Sequence, residues 1–289
     1  MGFKTKLSLY YRLSKPGIIY ANVIAAVAGY LFASKLSIDL IVASGLVVGL
    51  ALVIAGACSY NNYLDRTIDK AMARTQKRGL VTGDISGPAA LIYATLVTLL
   101  GFALLLTTQN GLTVLLVFIA LIAYVILYGI AKRTTVHGTL IGCISGSLPL
   151  VAGYTAFTSR LDTVAFLLFV LMTAWQMAHF YGIALYRQKD YAKAHIPVMP
   201  VVYGADTTKY QAVTYIVLFI IVSGCLIAGG HIGVIGGIAL IALGVAWLYK
   251  SLIGYSRLTP EVWGKRVFLF SLTVMLGMSF ILSFQSVVA

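Results

Sequence analysis

The chain has 289 residues, of which 60% are hydrophobic and 10% charged, and its formal net charge is +13. Soluble domains carry about a quarter charged residues, so this composition excludes an ordinary water-soluble fold and describes a polytopic membrane protein.

Apolar runs able to cross a hydrocarbon core of about 30 Å, which takes roughly 20 helical residues, recur along the whole chain. Nine spans are predicted, at 16–34, 41–61, 89–107, 112–131, 138–157, 163–186, 211–229, 232–249 and 266–285. Runs such as GLTVLLVFIALIAYVILYGIA do not alternate as barrel strands do, and helices satisfy their own backbone where no water is available. The expected fold class is therefore all-α. A single domain, 1–289, places nine transmembrane helices around a central cavity.

With the N-terminus cytoplasmic, nineteen of the 21 Lys and Arg residues fall on the cytoplasmic side, and only Lys35 and Arg160 fall outside. The positive-inside rule then predicts a multi-pass protein of the cell's inner membrane with its N-terminus in and its C-terminus out. Much of the positive charge is thus topological, and nucleic acid is not an expected partner. The stretch MGFKTKLSLYYRLSKPG lacks the apolar region and cleavage site of a signal peptide. Cys58, Cys143 and Cys225 lie far apart in apolar segments, without metal-type spacing, and are expected to be small buried hydrophobes.

The outer connections are short and nearly uncharged, whereas two inner ones, 62–88 and 187–210, are long and polar. They follow spans two and six, so both emerge on one face of the bundle, four spans apart as in a duplicated unit. In the first, NNYLDRTIDKAMARTQKR, the residues Asn61, Asp65 and Asp69 are spaced i, i+4, i+8, on one face of a helix that continues past the membrane. Two carboxylates and an amide are hard-oxygen ligands suited to Mg²⁺. Arg66, Lys70, Arg74, Lys77 and Arg78 follow as cations for phosphate oxygens. A solvated, mixed-charge loop would carry the same DxxxD pattern, and it is the second loop that favours a site. There Tyr186 and Asp190 share a face, with Lys189 beside them, before Pro197 and Pro200 break the helix.

Further candidates lie in or beside the spans. Lys15 and Asn22 belong to the first, where an ionisable or amide group is a site candidate, although Lys15 can also snorkel to the surface. Lys132 and Arg133 are suited to a diphosphate or a propionate carboxylate as well as to topology. Trp175, Gln176 and His179 share a face of the sixth span, and His179 reads equally as an interhelical hydrogen-bonding residue. Tyr60, Tyr63, Tyr128, Phe180 and Tyr181 are aromatic faces suited to a cationic intermediate.

Five blocks, KPGI at 15–18, the NNYLDRTIDKAMARTQKR stretch, AKRTTVHGTLIGCISG at 131–146, WQMAHFYGIALYRQKDYAKAHIPVMPVV at 175–202 and KRVFLFSL at 265–272, carry a resemblance. In that order they resemble the UbiA superfamily of intramembrane prenyltransferases and, within it, the haem-farnesylating branch. The pattern departs at Thr67, often acidic, and at Ala178 and Leu150, often proline. The resemblance implies transfer of a farnesyl group from farnesyl diphosphate to the 2-vinyl group of haem B, giving haem O. It further implies Mg²⁺ held by Asn61, Asp65, Asp69 and Asp190, and a diphosphate clamp of Arg66, Lys70, Arg74, Lys77, Arg78, Lys132 and Lys189. Lys15, Asn22, Trp175, Gln176, His179 and Tyr186 become contacts to haem or substrate, with a downstream haem-modifying enzyme as a conceivable partner. Two alternatives stay open: a prenyltransferase acting on an aromatic or quinone precursor, and a secondary transporter. The latter would place its ionisable groups near the bilayer midplane.

Overall fold

The computed structural model describes residues 3–285. Its elements follow in chain order. Helix α1 (Phe3–Leu13) precedes the first span, α2 (Pro16–Ser34), and α3 (Leu40–Leu64) is the second. Two short helices, α4 (Arg66–Ala71) and α5 (Gly79–Thr82), fill the first long loop, and α6 (Gly87–Thr108) is the third span. The fourth consists of α7 (Gly111–Ile122), a π-helical turn (Ala123–Leu127) and α8 (Tyr128–Thr134). Then come α9 (Gly138–Thr158) and α10 (Thr163–Tyr186), the second loop with α11 (Gln188–Lys193) and α12 (Met199–Val202), and finally α13 (Gly204–Ala228), α14 (Val234–Leu252) and α15 (Pro260–Phe284). The structure has nine helices long and apolar enough to cross a membrane and no strand among the described residues.

Local chemistry sets where the spans begin. Asp39, Ser86, Asn110, Asp162 and Thr259 each accept a hydrogen bond from a backbone N–H of the first turn of α3, α6, α7, α10 and α15, which satisfies donors the helix leaves open. Capping by Thr259 starts the last span at Pro260, earlier than its apolar run at 266. Helix α13 likewise begins at Gly204 instead of 211, because Lys209 is buried, donates from Nζ to the Tyr255 carbonyl at 2.8 Å and lies over the Tyr255 and Trp263 rings. A charge so partnered can sit inside a helix end. Of the cysteines, Cys58 and Cys143 are buried as expected, but Cys225 is exposed on an outward face of α13.

Close helix contacts shape the bundle. Helices α2 and α9 cross at Gly29 and Gly153, where a Cβ would run into the partner backbone, and α10 and α15 cross at Gly182 and Gly264 in the same way. In the ring, α2 packs on α9, α9 on α10, and α15 on both α10 and α2. The cavity within it, about 1040 Å³, is lined by α2, α3, α7, the π turn, α8, α9, α10 and α15. Both long loops lie over one end of it.

Candidate active site

The first loop is built downward into the cavity. Helix α3 ends at Leu64 and the backbone at Asp65 relaxes to φ −86°, ψ −2°, so the uninterrupted helix expected from the i, i+4, i+8 spacing is broken there. The phase survives. Asp65 N donates to Asn61 O at 2.9 Å and Asp69 N to Asp65 O at 2.8 Å, which keeps the three side chains on the cavity side. Both carboxylates are buried, with Asp65 8% and Asp69 4% exposed. Ion pairs explain how two buried acids are tolerated: Lys132 and Arg133 pair with the two oxygens of Asp65, the latter at 3.0 Å, and Arg78 pairs with Asp69 at 2.6 Å.

A second tier orients these pairs. Arg78 also donates to Asn62 Oδ1 at 2.9 Å, and Asn62 Nδ2 donates to the Leu13 carbonyl at 2.7 Å. The buried hydroxyl of Thr75 donates to the Asp69 carbonyl at 3.0 Å, folding the 72–78 turn back over the site. Lys15, in a left-handed conformation at φ 52°, donates from Nζ to Asn61 Oδ1 at 2.8 Å. Only an oxygen can face an ammonium, so the amide orientation of Asn61 is settled, and its buried Nδ2 points elsewhere with no partner among the described residues. Desolvation at the cavity wall lowers the Lys15 ammonium to about 8.

The opposite wall is aromatic. Trp175 donates from its indole N–H to the Ser271 carbonyl at 2.8 Å and stacks on His179 with centroids 4.8 Å apart. Gln176 donates to Ser147 at 3.3 Å, and Asn22, also on the cavity wall, donates to Ile18 O at 2.8 Å. Tyr186 stacks near Phe268 and carries Arg187 at 4.2 Å and Lys265 at 5.6 Å over its ring. Between the polar end and this wall the lining is hydrocarbon, including Leu50, Val53, Val117, Leu121, Met172 and Met275.

The sequence candidates divide accordingly. Lys15, Asn22, Asn61, Asp65, Asp69, Arg74, Arg78, Lys132, Trp175, Gln176, His179 and Tyr186 line one cavity. Arg66, Lys70, Lys77, Lys189 and Asp190 are not in its lining. Arg66 turns back onto the Tyr63 ring and the Tyr63 carbonyl. Among the aromatic candidates, Tyr128 and Phe180 line the cavity, but Tyr60 is bonded to Thr95 of α6, Tyr63 lies under Arg66 and Tyr181 packs on Tyr215. Unforeseen lining residues are Arg187, Tyr191 and Tyr124, and unforeseen supports are Asn62 and Ser271, while Arg133, expected with Lys132 as a phosphate or carboxylate partner, pairs with Asp65. Desolvation pushes the Tyr191 phenol up, so it faces the site as a neutral donor. Asn62 adjoins the singled-out Asn61, and that adjacency is the available signal. Among the described residues no three His, Cys, Asp or Glu side chains converge, so the acidic donors here are the two carboxylates alone.

A transmembrane helical ring with an acid–base end and an apolar interior defines an intramembrane group-transfer enzyme. Residues 22–274 match the model of the UbiA prenyltransferase family, and the chain belongs to that family. It is a prenyltransferase. Relatives include "Protoheme IX farnesyltransferase" of Serratia proteamaculans, 42% identical over 275 residues that cover 95% of this chain and 93% of the relative. Another is "Protoheme IX farnesyltransferase 2" of Chromobacterium violaceum, 43% identical over 277 residues, 95% of this chain and 91% of the other. Among solved structures, a UbiA homolog from Archaeoglobus fulgidus bound to DMAPP and Mg²⁺ aligns with a TM-score of 0.74 at 17% identity, over 95% of this chain and 99% of that one. A structure described under digeranylgeranylglyceryl phosphate synthase aligns with a TM-score of 0.81 at 19% identity, over 99% and 100%. These distant structures share the fold.

Proposed function

We propose that the chain transfers the farnesyl group of farnesyl diphosphate to the 2-vinyl group of haem B, with Mg²⁺, at the cytoplasmic end of a bundle whose N-terminus is cytoplasmic. The observation that carries this reading is one cavity with three chemistries: a carboxylate–cation end, a hydrocarbon middle and an aromatic wall. The 40–43% identity to relatives named for haem farnesylation supports the choice of substrates. At about 1040 Å³ the cavity lies at the upper end of the range for a single drug-sized ligand, consistent with two substrates.

The residues fit Mg²⁺ by donor chemistry, since Asp65 and Asp69 are hard, anionic oxygen ligands and Asn61 Oδ1 retains a second lone pair beside Lys15. When bound, Mg²⁺ would supply positive charge to the leaving diphosphate. Lys15, Arg74, Arg78, Lys132 and Arg133 outnumber the two carboxylates, leaving the end of the cavity short of negative charge before an anion arrives. Asp190 and Lys189 sit on α11, where Arg187 and Tyr191 reach the cavity, so Asp190 would act from the rim or through water. Arg66, Lys70 and Lys77 would contribute long-range potential around the entrance.

The chemistry then follows from the environment. The bond between farnesyl C1 and its oxygen breaks, and diphosphate leaves with the electron pair toward the cationic end. The allylic cation is shielded from water by the hydrocarbon lining, with Tyr128 and Phe180 among its π faces. The vinyl π electrons of haem attack C1, and water adds to the resulting porphyrin-side cation and loses a proton, giving a hydroxyethylfarnesyl group. Burial of the fifteen-carbon chain, at about 0.8 kcal/mol per CH₂, favours delivery from the bilayer.

Supplying purified protein with farnesyl diphosphate, haem B and Mg²⁺ should yield haem O by mass spectrometry, and chelation should stop it. Turnover of an aromatic acceptor with no haem O would favour the quinone-precursor alternative.

A further inference from the structure

The aromatic wall contains a histidine whose protonation state can be read from its neighbours. Ser271 Oγ lies 2.6 Å from the Phe268 carbonyl oxygen and 2.6 Å from His179 Nδ1. Two oxygens at that separation require a proton between them, and a carbonyl has none to give, so the serine proton lies on that line. Ser271 Oγ is then left only with lone pairs toward His179, and Nδ1 must carry the proton of their bond. A neutral imidazole has a single N–H. The unprotonated nitrogen is therefore Nε2, which has no protein partner among the described residues.

The ring is held on three sides. Trp175 stacks on it at 4.8 Å and 23°, while Phe180 and Phe268 approach with centroids at 5.2 Å and inclined planes. No acidic side chain pairs with it among the described residues. His179 is 9% exposed and lines the cavity. An imidazole of fixed tautomer, whose Nδ1–H is committed to an oxygen and whose Nε2 is free, is the arrangement that metal-binding histidines use, the outer hydrogen bond raising ligand basicity.

We infer that His179 binds the acceptor through its iron, by Nε2, and that Ser271 is the positioning residue that fixes the tautomer. This rests on haem as the acceptor. An iron–nitrogen bond would anchor the macrocycle at the aromatic wall, with its vinyl-bearing edge left to meet farnesyl C1. It also explains why a porphyrin would be preferred over a flat aromatic acid, which has nothing for Nε2 to ligate.

The test uses the full chain in lipid nanodiscs without farnesyl diphosphate, titrated in parallel with haem B and with metal-free protoporphyrin IX, with absorbance and binding as readouts. The wild-type protein should bind haem at least about tenfold more tightly than protoporphyrin and show an imidazole-ligated Soret band. His179→Ala should lose both the band and the preference while still binding porphyrin, and added imidazole should restore the band. Ser271→Ala should weaken haem binding by about 10- to 100-fold relative to protoporphyrin, a ratio that a purely structural bond would leave unmoved. Equal binding of the two porphyrins by the wild type overturns iron ligation without any variant needing to fold. An unchanged haem spectrum in His179→Ala does the same, with the haem acceptor intact. Failure to bind either porphyrin overturns the acceptor reading and this inference together.

Discussion

The two polar loops leave equivalent helices at the same end of the bundle, yet they meet the cavity differently. At Asp65 the helix breaks but its i→i+4 bonds run through the break, so Asn61, Asp65 and Asp69 stay in phase and all reach the cavity. At Arg187 the backbone opens to φ −114°, ψ 21°, and the cavity-facing pair becomes Arg187 and Tyr191, with Asp190 turned out of the lining. Acid in the first loop is buried and ion-paired, whereas in the second it is half-buried with no ion pair among the described residues. Both breaks keep i→i+4 bonds, Arg187 N donating to Ile183 O at 2.8 Å and Tyr191 N to Arg187 O at 3.2 Å in the second, so the loops differ in which residues occupy the in-phase positions: Asp65 and Asp69 in one, Arg187 and Tyr191 in the other.

That asymmetry can be broken by substitution. Asp65→Asn and Asp69→Asn should each slow prenyl transfer about 10²–10³-fold, and Asp190→Asn only about tenfold, in a steady-state assay with saturating Mg²⁺. Equal losses at all three would mean that α11 turns to bring Asp190 inward during the reaction. Arg78→Ala should act on the first loop alone. It strips Asp69 and Asn62 of a shared donor and should cost about 1–3 kcal/mol of stability, read as a lower unfolding midpoint in detergent, in addition to lost activity. Tyr191→Phe, which removes only the phenol of the second loop, should raise KM for farnesyl diphosphate roughly fivefold, the equivalent of about 1 kcal/mol, with kcat little changed.

The smallest effect is the dependence on pH. With the Lys15 ammonium lowered to about 8, it loses its proton as pH rises through that value, and attraction for the diphosphate falls with it. KM for farnesyl diphosphate should therefore climb by about threefold between pH 7 and 8.5, and Lys15→Arg, which stays charged, should flatten the profile.

Much of this molecule is written in its composition. Nine spans are legible because each must present a long apolar run, and the errors fall where capping by Thr259 or the buried Lys209 extends a helix beyond its run. The acidic pair is legible because i, i+4 spacing is local. Its partners are not: Lys132 lies 67 residues from Asp65, Leu13 lies 49 from Asn62, and Ser271 lies 92 from His179. Such contacts depend on which helices become neighbours, and no periodicity encodes that. Asp190 was placed by its i+4 spacing to Tyr186, whereas the i→i+4 bonds that cross the break run from Ile183 to Arg187 to Tyr191 and Asp190 N turns to Arg187 O instead.

The π turn at Ala123–Leu127 bears on all of this. There Tyr128 N bonds back five residues to Ala123 O, so one more residue is wound into the turn than an α-helix holds, and everything after it is rotated by roughly 100°. Tyr124, Tyr128 and Lys132, spaced i, i+4, i+8 through and beyond the turn, all line the cavity. A single-residue deletion within 123–127 would thus take out the surplus residue, turn the bulge into a regular α-turn and leave Lys132 in phase with Asp65, whereas closing the turn into an α-helix without a deletion would swing Lys132 away by roughly 100° and disarm the site.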